Sequence, residues 1–312
     1  MKILVLAGGT SPEREVSLNS GKAVTEALLT TKYTPVFIDL KDPLELPKIF
    51  KENSADGVFI ALHGTWGENG IIQAICEVAN IPYTGSGVLG SSIGMNKFTS
   101  KALFNNAGIK TANAFLATVN NPNIKMAEKF LDKFGKIFIK PNTGGSTVAC
   151  SSAATIDEYK KSLELAFDVE PYALVEEFIE GEEITVPVME NDDGTPFALP
   201  VIHIKPKTGY YDYNNKYTKG ATDYICPADF SPETIKRLQD IAVKAHIAIS
   251  CNIYSRIDFR LTETGDVYAL EANTAPGMTA TSLVPKAAKA FGIEFPEFLT
   301  QIIERSFSLK RY

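Results

Sequence analysis

Apolar and polar positions follow different periods along the chain, and these periods predict its elements. In residues 1–95, short apolar runs at Lys2–Ala7, Pro35–Leu40 and Val58–Leu62 indicate buried strands, and Ser17–Leu29 has a helical pattern. Strands that alternate with helices in this way are typical of a parallel sheet. We therefore predict an α/β fold that begins with a parallel-sheet unit.

The rest of the chain mixes helices with strands that read as antiparallel, which predicts an α+β arrangement in two further blocks. In residues 96–182 the patterns predict helices at Lys97–Asn106, Met126–Phe134 and Ile156–Phe167, and strands at Ile137–Lys140, from Val148 onward and at Tyr172–Glu176. In residues 183–312 they predict strands at Glu183–Met189 and Phe197–Ile204, a helix from Ser231 to about Ile249, a hairpin, and two helices after Ser282. We therefore divide the chain into domains at 1–95, 96–182 and 183–312.

The predicted hairpin, RIDFRLTETGDVYALEANTAPG, carries the clearest candidate for a metal site. If Glu263–Asp266 form its loop, Asp258 lies opposite Glu271, and Asn273 lies on the same face two residues further along. Two carboxylates and an amide, without thiol or imidazole, suit Mg²⁺ or Mn²⁺. The alternative is a solvated hairpin whose charges serve solubility, although the two facing carboxylates would then repel each other.

Composition narrows the classes of partner. The 312 residues are 45% hydrophobic and carry a net charge of −6 without a basic run, which argues against nucleic acid and anionic membranes as partners. The four cysteines lie far apart without the spacing of a zinc site, so we expect reduced thiols in a cytoplasmic protein. No apolar run has the length of a membrane span, and the first is too short for a signal peptide.

Two loops at predicted strand ends offer groups for a small ligand. Gly8–Gly9 follows the first strand, but AGGTSPEREV lacks GxGxxG, and Gly21–Lys22 lacks the upstream glycine of a Walker A loop. Glu15 precedes a helix and His63 follows a strand, so the two side chains can meet at the sheet edge and bind a zwitterion. Each also has a simpler explanation, as a first-turn carboxylate and a hydrogen-bonded loop histidine.

Three later segments suggest a nucleotide site. Lys140 ends a strand before the loop NTGGST, whose backbone N–H groups can approach a phosphate. The short linker Glu177–Gly181 suits an adenine slot, with Glu183 accepting hydrogen bonds from ribose hydroxyls. The polar, tyrosine-rich segment GYYDYNNKYTKGATDY has the length of a loop that closes over a site, or of an exposed connector.

Six motifs in one order along the chain resemble those of the D-alanine–D-alanine ligase family of the ATP-grasp superfamily: GGTSPEREVSLNSG, HGTWGENG, GSGVLGSSIGMNK, YDYNNKY, RID and EANTAPGMTATSLVP. The resemblance implies an ATP-grasp fold with an N-terminal parallel-sheet domain. It also implies that ATP drives the joining of two D-alanines through an acyl phosphate, giving ADP, phosphate and a dipeptide for peptidoglycan precursors. A cytoplasmic homodimer is expected on the same ground.

The resemblance also assigns roles to individual residues. It implies two Mg²⁺ (or Mn²⁺) ions at Asp258, Glu271 and Asn273, and phosphate-binding lysines at Lys97, Lys140 and Lys216. It places Glu176, Glu177, Ile179 and Glu183 in the adenosine pocket. Around the first D-alanine and the closed loop it places Glu15, Ser146 and Tyr217, with His63 nearby. The second D-alanine would contact Lys216, Ser282 and Leu283, and the tetrahedral oxyanion would contact Arg256 and the backbone N–H of Gly277.

Some positions depart from the family pattern. The loop NTGGST differs from relatives at Thr143, Gly144 and Thr147, which puts ATP affinity or loop rigidity in question. Glu177 stands where relatives often have lysine, which puts a side-chain contact with adenine in doubt.

Three rival functions remain open. One is a depsipeptide ligase that takes D-lactate as its second substrate, against which Tyr217 argues, because lactate-using members tend to have phenylalanine there. Another is a different ATP-grasp carboxylate–amine ligase. The third is a non-catalytic nucleotide-binding regulator, which would be expected to lack a metal ligand or Arg256.

Overall fold

The computed structural model describes residues 1–145, 148–207, 218 and 220–309, and it contains three sheets that follow one another along the chain. The first sheet is parallel in the order β2–β1–β3, with strands β1 (Lys2–Gly8), β2 (Thr34–Leu40) and β3 (Gly57–Ile60). The predicted parallel unit is confirmed. Its strands end at one edge, where the loops after β1 and β3 come together.

Four helices lie in this part of the chain: α1 (Arg14–Leu28), α2 (Leu46–Asn53), α3 (Ile71–Val78) and α4 (Val88–Met95). The first three carry residues of the cores that pack on this sheet, whereas α4 packs through Ile93 on the core that contains Ile257 and Phe259. Only α1 has a counterpart in the predicted pattern. The sequence of α4, VLGSSIGM, contains two glycines, which weaken any helix prediction. Both allow close packing, because a Cβ on Gly90 would collide with the carbonyl oxygen of Ser250 and one on Gly94 would lie 2.7 Å from a methyl group of Thr274.

The second sheet is antiparallel in the order β4–β7–β5–β6, with strands β4 (Ala114–Thr118), β5 (Ile137–Pro141), β6 (Ser151–Ala153) and β7 (Tyr172–Glu177). Helices α6 (Ile124–Phe134) and α7 (Ile156–Phe167) cover one of its faces. Thr155 and Glu158 form a capping box at the start of α7. The predicted return strand begins at Ser151 and not at Val148. Helix α5 (Lys97–Asn106) precedes this sheet.

The third sheet has the order β11–β10–β8–β12–β13, with β9 also paired to β8. Its strands are β8 (Glu182–Glu190), β9 (Pro196–Ala198), β10 (Ile202–Pro206), β11 (Thr222–Ile225), β12 (Tyr254–Leu261) and β13 (Val267–Asn273), and helix α8 (Pro232–Ala248) packs on it. The single strand predicted at Phe197–Ile204 is wrong. It is divided between β9 and β10, because the register against β8 shifts by one residue there and Pro200 has no N–H to donate.

The last two helices, α9 (Leu283–Phe291) and α10 (Phe295–Ser308), pack back on the first sheet. Phe298 and Ile302 are fully buried in the same core as Ile3 and Phe59. This shared core fixes the edge of the first sheet beside the β12–β13 hairpin, although the two lie far apart in sequence. In the described part of the chain, no helix has both the length and the apolarity of a membrane span.

Candidate active site

The β12–β13 hairpin has the predicted pairing where it matters for the site. Asp258 lies opposite Glu271, and Arg256 lies opposite Asn273. The loop, however, is one residue longer than predicted, because Leu261 pairs with Val267. A β-bulge between Asp258 and Phe259 restores the register. The two differences cancel, so the facing carboxylates are confirmed although the turn was predicted inaccurately.

Asp258 is held by three neighbours. Arg256 donates to both of its oxygens, from Nε at 2.9 Å and from Nη2 at 2.8 Å. Thr185 donates from its hydroxyl at 2.6 Å, and Asn273 donates from Nδ2 at 3.0 Å. The side chains of Arg256 and Asp258 are only 17% and 14% exposed, so this face of the hairpin is a cavity wall and the alternative of a fully solvated polar face is wrong.

The donor atoms at this wall fit a hard divalent cation. Asp258 and Glu271 supply carboxylate oxygens, and the Nδ2 bond of Asn273 to Asp258 leaves its Oδ1 as a further oxygen ligand. Among the residues that the structure describes, no three His, Cys, Asp or Glu side chains form a metal-binding group, and the amide oxygen of Asn273 would be the third oxygen ligand. Lys97 lies 3.5 Å from Glu271 and offsets part of the negative charge.

Helix α5 and strand β5 bring lysines to the same region. The ammonium group of Lys97 donates to the carbonyl oxygen of Gly144 at 2.6 Å, which ties α5 to the NTGGST loop. The ammonium group of Lys140 lies 2.7 Å from Glu176, which also pairs with Lys101. Burial alone would raise the pKa of Glu176, but the two lysines hold it below its usual range. Glu176 is therefore a buried anion.

A narrow cavity opens between the second and third sheets. It contains every described residue that was predicted to bind ATP, together with Asp258, Glu271 and Arg256. Its lining includes Lys97, Lys140, Glu176, Glu177, Ile179 and Glu183 among the predicted residues, and Phe138, Phe178, Ile204 and Leu270 among the apolar ones. An apolar slot with a few polar groups at its ends is a common form of binding site for a flat heterocycle.

The linker that follows β7 is fixed by its own contacts. Glu177 accepts hydrogen bonds from both the backbone N–H and the side-chain amide of Asn113, at 2.9 and 3.0 Å. Its carboxylate is therefore engaged with Asn113, which accounts for a glutamate at this position. At the other end of the slot, Arg260 pairs with Glu183 at 2.8 Å and donates to the carbonyl oxygen of Gly181 at 2.9 Å.

A wide cavity adjoins the narrow one, between the edge of the first sheet, α4 and α9. It contains His63, Asn273, Gly277 and Ser282. The two cavities share six lining residues, which mark where they meet: Lys97, Gly144, Gly145, Arg256, Glu271 and Leu283. Five of the six are glycines or carry a charge opposite to that of a phosphate or a cation. The junction is therefore suited to transfer a charged group from a ligand in one cavity to a ligand in the other.

His63 is buried and fixed by two hydrogen bonds. Its Nδ1 lies 2.9 Å from the carbonyl oxygen of Ala275, and its Nε2 lies 2.9 Å from the hydroxyl of Ser20. A carbonyl oxygen only accepts, so Nδ1 carries a proton and donates to Ala275. The Ser20 oxygen in turn accepts from the N–H of Met278 at 3.2 Å. This chain links the first sheet to the loop after β13.

The prediction that Glu15 reaches the site is wrong. Helix α1 begins at Arg14, and Glu15 is exposed in its first turn, as the simpler explanation of that residue had it. The wide cavity is lined by Glu13, which lies in the loop between β1 and α1. A Cβ on Gly145 would lie 2.8 Å from one carboxylate oxygen of Glu13, and one on Gly64 would collide with the other.

Glu13 is thus the residue that the sequence reasoning missed. Its carboxylate lies where three motifs meet, namely the loops after β1, β3 and β5. The sequence contained a signal for this, because the loop after a parallel strand faces the ligand, whereas the helical period sets the direction of a side chain inside the helix.

The loop after β13 completes the wide cavity. The hydroxyl of Ser282 accepts from the N–H of Thr279 at 3.0 Å and lies 2.8 Å from the Thr279 hydroxyl. Leu283 is the first residue of α9, so its backbone N–H is at a helix N-terminus. A Cβ on Gly277 would lie 3.2 Å from the Ser282 oxygen, so a side chain there would crowd the cavity.

The structure therefore brings together all the predicted site residues that it describes, with Glu13 in place of Glu15. Four residues singled out in the sequence lie outside the described residues: Ser146, Thr147, Lys216 and Tyr217. The roles of all these residues remain predictions.

Two family models match the chain. The model described as D-ala D-ala ligase C-terminus matches residues 103–304, and the one described as D-ala D-ala ligase N-terminus matches residues 42–86. The D-alanine–D-alanine ligase of Syntrophotalea carbinolica is 44% identical over 303 residues, which are 97% of this chain and 95% of that protein.

Solved structures agree over nearly the whole chain. The D-alanine–D-alanine ligase of Bacillus anthracis in complex with ATP has a TM-score of 0.85 and 32% identity, and the match covers 98% of this chain and 97% of that one. VanG, the D-Ala:D-Ser ligase of Enterococcus faecalis, has a TM-score of 0.83 and 30% identity, with 98% and 99% covered.

Proposed function

The chain belongs to the D-alanine–D-alanine ligase family, and from that membership we propose how its two cavities carry out an ATP-dependent ligation. Membership confirms the resemblance and the ATP-grasp fold class. The protein is an ADP-forming ligase that joins two D-alanines into D-alanyl-D-alanine for peptidoglycan synthesis. The observation that carries the proposal is the set of six residues shared by the narrow and wide cavities.

The narrow cavity would hold ATP with its terminal phosphate at the junction. Adenine would lie between Phe178 and Ile179 of the linker and the apolar side chains of the third sheet, with the ribose hydroxyls donating to Glu183. The phosphates would contact Lys97 and Lys140, because both reach the end of the slot that faces the hairpin. Lys216 and Ser146 would complete this contact.

Asp258, Glu271 and Asn273 would hold two Mg²⁺ or Mn²⁺ ions. When bound, such ions neutralise charge on the phosphoryl oxygens as the transfer proceeds. The oxygen donors of these three residues suit that role. A cation between Asp258 and Glu271 would also explain why two carboxylates lie opposite each other on one hairpin.

The first D-alanine would lie in the wide cavity, with its ammonium group at Glu13. Its carboxylate oxygen attacks the γ-phosphorus of ATP, the bond to the β-phosphate oxygen breaks, and ADP leaves. The product is an acyl phosphate. The hydrogen bonds of His63 hold Ser20 and the loop after β13 in place.

The second D-alanine would place its carboxylate at Ser282 and the backbone N–H of Leu283, with Lys216. Its neutral amine attacks the acyl carbon and loses a proton, and the phosphate leaves with the bond electrons. Arg256 and the N–H of Gly277 would donate to the tetrahedral oxyanion. Because Arg256 is paired with Asp258, its guanidinium is already held at the junction where that charge develops.

Several further features belong to the same proposal. Residues 210–219 would close over the acyl phosphate and exclude water, with Tyr217 and Ser146 meeting Glu13. The three ranges 1–95, 96–182 and 183–312 would be domains, and the protein would be a cytoplasmic homodimer.

The choice of second substrate can be measured directly. VanG is named a D-Ala:D-Ser ligase, yet its fold is close to that of this chain, so fold alone does not set this choice. The curated relatives are named D-alanine–D-alanine ligases, which supports D-alanine over D-lactate or another amine.

The proposal is tested by measuring phosphate release from ATP with each small D- and L-amino acid in turn, and by identifying the product. We expect release with D-alanine alone and none with L-alanine. Competition between D-alanine and D-lactate then sets the second substrate. Mainly depsipeptide near neutral pH, or phosphate release without a dipeptide, would overturn the proposal.

A further inference from the structure

Lys101 is a buried charged residue for which the proposed mechanism has no use. It lies on α5 one turn after Lys97, its side chain is 4% exposed, and it lines neither cavity in the part of the chain that the structure describes. Its ammonium group pairs with Glu176 and donates to the hydroxyl of Thr111 at 2.6 Å. Burial lowers the pKa of Lys101, so the charge is retained there at a cost.

Glu176 lies between two lysines. Its Oε1 faces Lys101, and its Oε2 lies 2.7 Å from Lys140. The carboxylate is 4% exposed, and the two ammonium groups pair with different oxygens of it. Of these two lysines, only Lys140 also lines the narrow cavity. The trio therefore has a cavity side, where Lys140 lies, and a far side, where Lys101 lies.

This arrangement matters when a phosphate reaches Lys140. An anionic oxygen at the ammonium group of Lys140 competes with Glu176 for the same donors. If Glu176 had no other cation, the exchange would leave a buried carboxylate without a counter-charge, which is strongly unfavourable. With Lys101 in place, Glu176 stays neutralised while Lys140 turns to the phosphate.

We propose that Lys101 is a positioning residue of the nucleotide site, which neutralises Glu176 from the far side so that Lys140 can exchange Glu176 for a nucleotide phosphate. This inference rests on the proposed function, since it requires that Lys140 meets the phosphates of ATP. A contact of Lys101 with ATP is not part of it. The hydroxyl of Thr111 donates in turn to the carbonyl oxygen of Ala269 at 2.8 Å, which keeps Lys101 aimed at Glu176.

The decisive experiment compares two variants in which Glu176 has lost its charge. Glu176→Gln and the double variant Lys101→Met/Glu176→Gln differ only at Lys101, and neither contains an uncompensated buried carboxylate. If Lys101 acts only by neutralising Glu176, it is dispensable in this background. We expect the dissociation constants for ATP, measured by calorimetry on the full chain, to differ by less than about fivefold. A larger loss in the double variant would overturn the inference.

The single variant Lys101→Met supplies a second test. Among the described residues it leaves Lys140 as the only cation paired with Glu176, so ATP should bind at least about tenfold more weakly. Adenosine has no phosphate to compete for Lys140, and its affinity, followed by ligand-observed NMR, should change less than about threefold. An equal loss for both ligands would indicate a purely structural role. Lys101→Arg keeps the charge and should restore ATP binding.

The wild-type protein separates this inference from the proposed function. If wild type does not bind ATP or release phosphate with D-alanine, both the proposed function and the role of Lys101 are refuted. If wild type does both but the matched pair differs beyond the stated limit, only the role of Lys101 is refuted. If Lys101→Met does not fold, which its melting curve reveals, the matched pair still decides the question.

Discussion

The narrow and wide cavities hold their polar groups in different ways. In the narrow cavity, charged side chains fix one another as ion pairs, such as Lys140–Glu176 and Arg260–Glu183. In the wide cavity, the main supports are hydrogen bonds, of His63 with Ser20 and of the Ser282 hydroxyl with Thr279. The removal of a charge therefore affects the narrow cavity most, since it leaves a partner buried without compensation, whereas added volume affects the wide cavity most.

The largest effect is expected at the junction, where the two kinds of site meet. Replacing Glu271 with Gln removes a charge that faces Asp258 and lies 3.5 Å from Lys97. We expect D-alanine-dependent phosphate release to fall by about a thousandfold or more, because the negative charge that would hold the metal ions is lost.

The matched control is Asp266→Asn, at the tip of the same hairpin. Asp266 is 51% exposed and pairs only with the half-exposed Lys110 among its described ion pairs, so its loss should change turnover less than twofold. Near-normal turnover in Glu271→Gln would refute the metal assignment.

A smaller effect is expected at Glu13, a charged residue of the wide cavity whose carboxylate lies close to Gly64 and Gly145. We expect Glu13→Gln to lower kcat/KM for D-alanine about a hundredfold, since it weakens the contact with the ammonium group. Glu15→Gln, two residues later in the exposed first turn of α1, should leave kcat/KM within about twofold. Steady-state kinetics of this pair also tests the correction from Glu15 to Glu13, and the opposite ranking would restore Glu15.

A change of side-chain volume without a change of charge tests the wide cavity separately from the narrow one. Gly277→Ala adds a Cβ that would lie 3.2 Å from the Ser282 oxygen, without changing any charge. We expect the KM for the second D-alanine to rise about tenfold through misplacement of Ser282, while ATP affinity stays unchanged. Separate titrations of the two substrates measure this. An equal loss of ATP affinity would show that the cavities are not independent in this respect.

The smallest effect concerns a buried ion pair that lines neither cavity. Glu190 accepts from Arg305 at 2.9 and 2.8 Å and joins β8 to α10. Burial opposes its charge, but contacts with His246, the N–H of Ile253 and Arg305 hold the pKa of Glu190 below its usual 4.5. Its ionised form therefore stabilises the fold above pH 4.5, and this contribution is lost as the pH falls through the lower folded pKa.

Urea unfolding at several pH values measures that contribution. At pH 7, Glu190→Gln should be about 1–3 kcal/mol less stable than wild type, and the gap should narrow below pH 4.5. Glu304→Gln removes a carboxylate from an exposed pair with Lys32 and should show almost no gap. A gap for Glu190→Gln that does not depend on pH would contradict the role of its charge.

The parts of the fold that were predictable are those with a strong local signal. Helices α5 and α7 have the predicted bounds, because their caps and apolar periods agree. Helix α4 was missed because its glycines serve contacts with Ser250 and Thr274 that no local pattern reveals. The packing of α10 on the first sheet, through Phe298 and Ile302, is likewise a tertiary fact.

The site was predictable in its members more than in its geometry. Alternation of polar and apolar residues predicted that Asp258 and Glu271 lie on one wall. The hairpin loop is one residue longer than predicted, and the two carboxylates still face each other because a bulge compensates for that residue. Glu13 was missed because Glu15 has the same chemistry two residues away, and only the start of α1 separates the two. Lys101 drew no attention because its partner Glu176 lies 75 residues further along the chain.

The central claim is that a D-alanine carboxylate takes the γ-phosphoryl group of ATP where the two cavities meet. It is tested most directly with D-alanine labelled by ¹⁸O at both carboxylate oxygens, by mass analysis of the phosphate and dipeptide released. The account predicts one ¹⁸O in each phosphate and one in the new peptide carbonyl, because the attacking oxygen leaves with phosphorus. Phosphate without the label would contradict it.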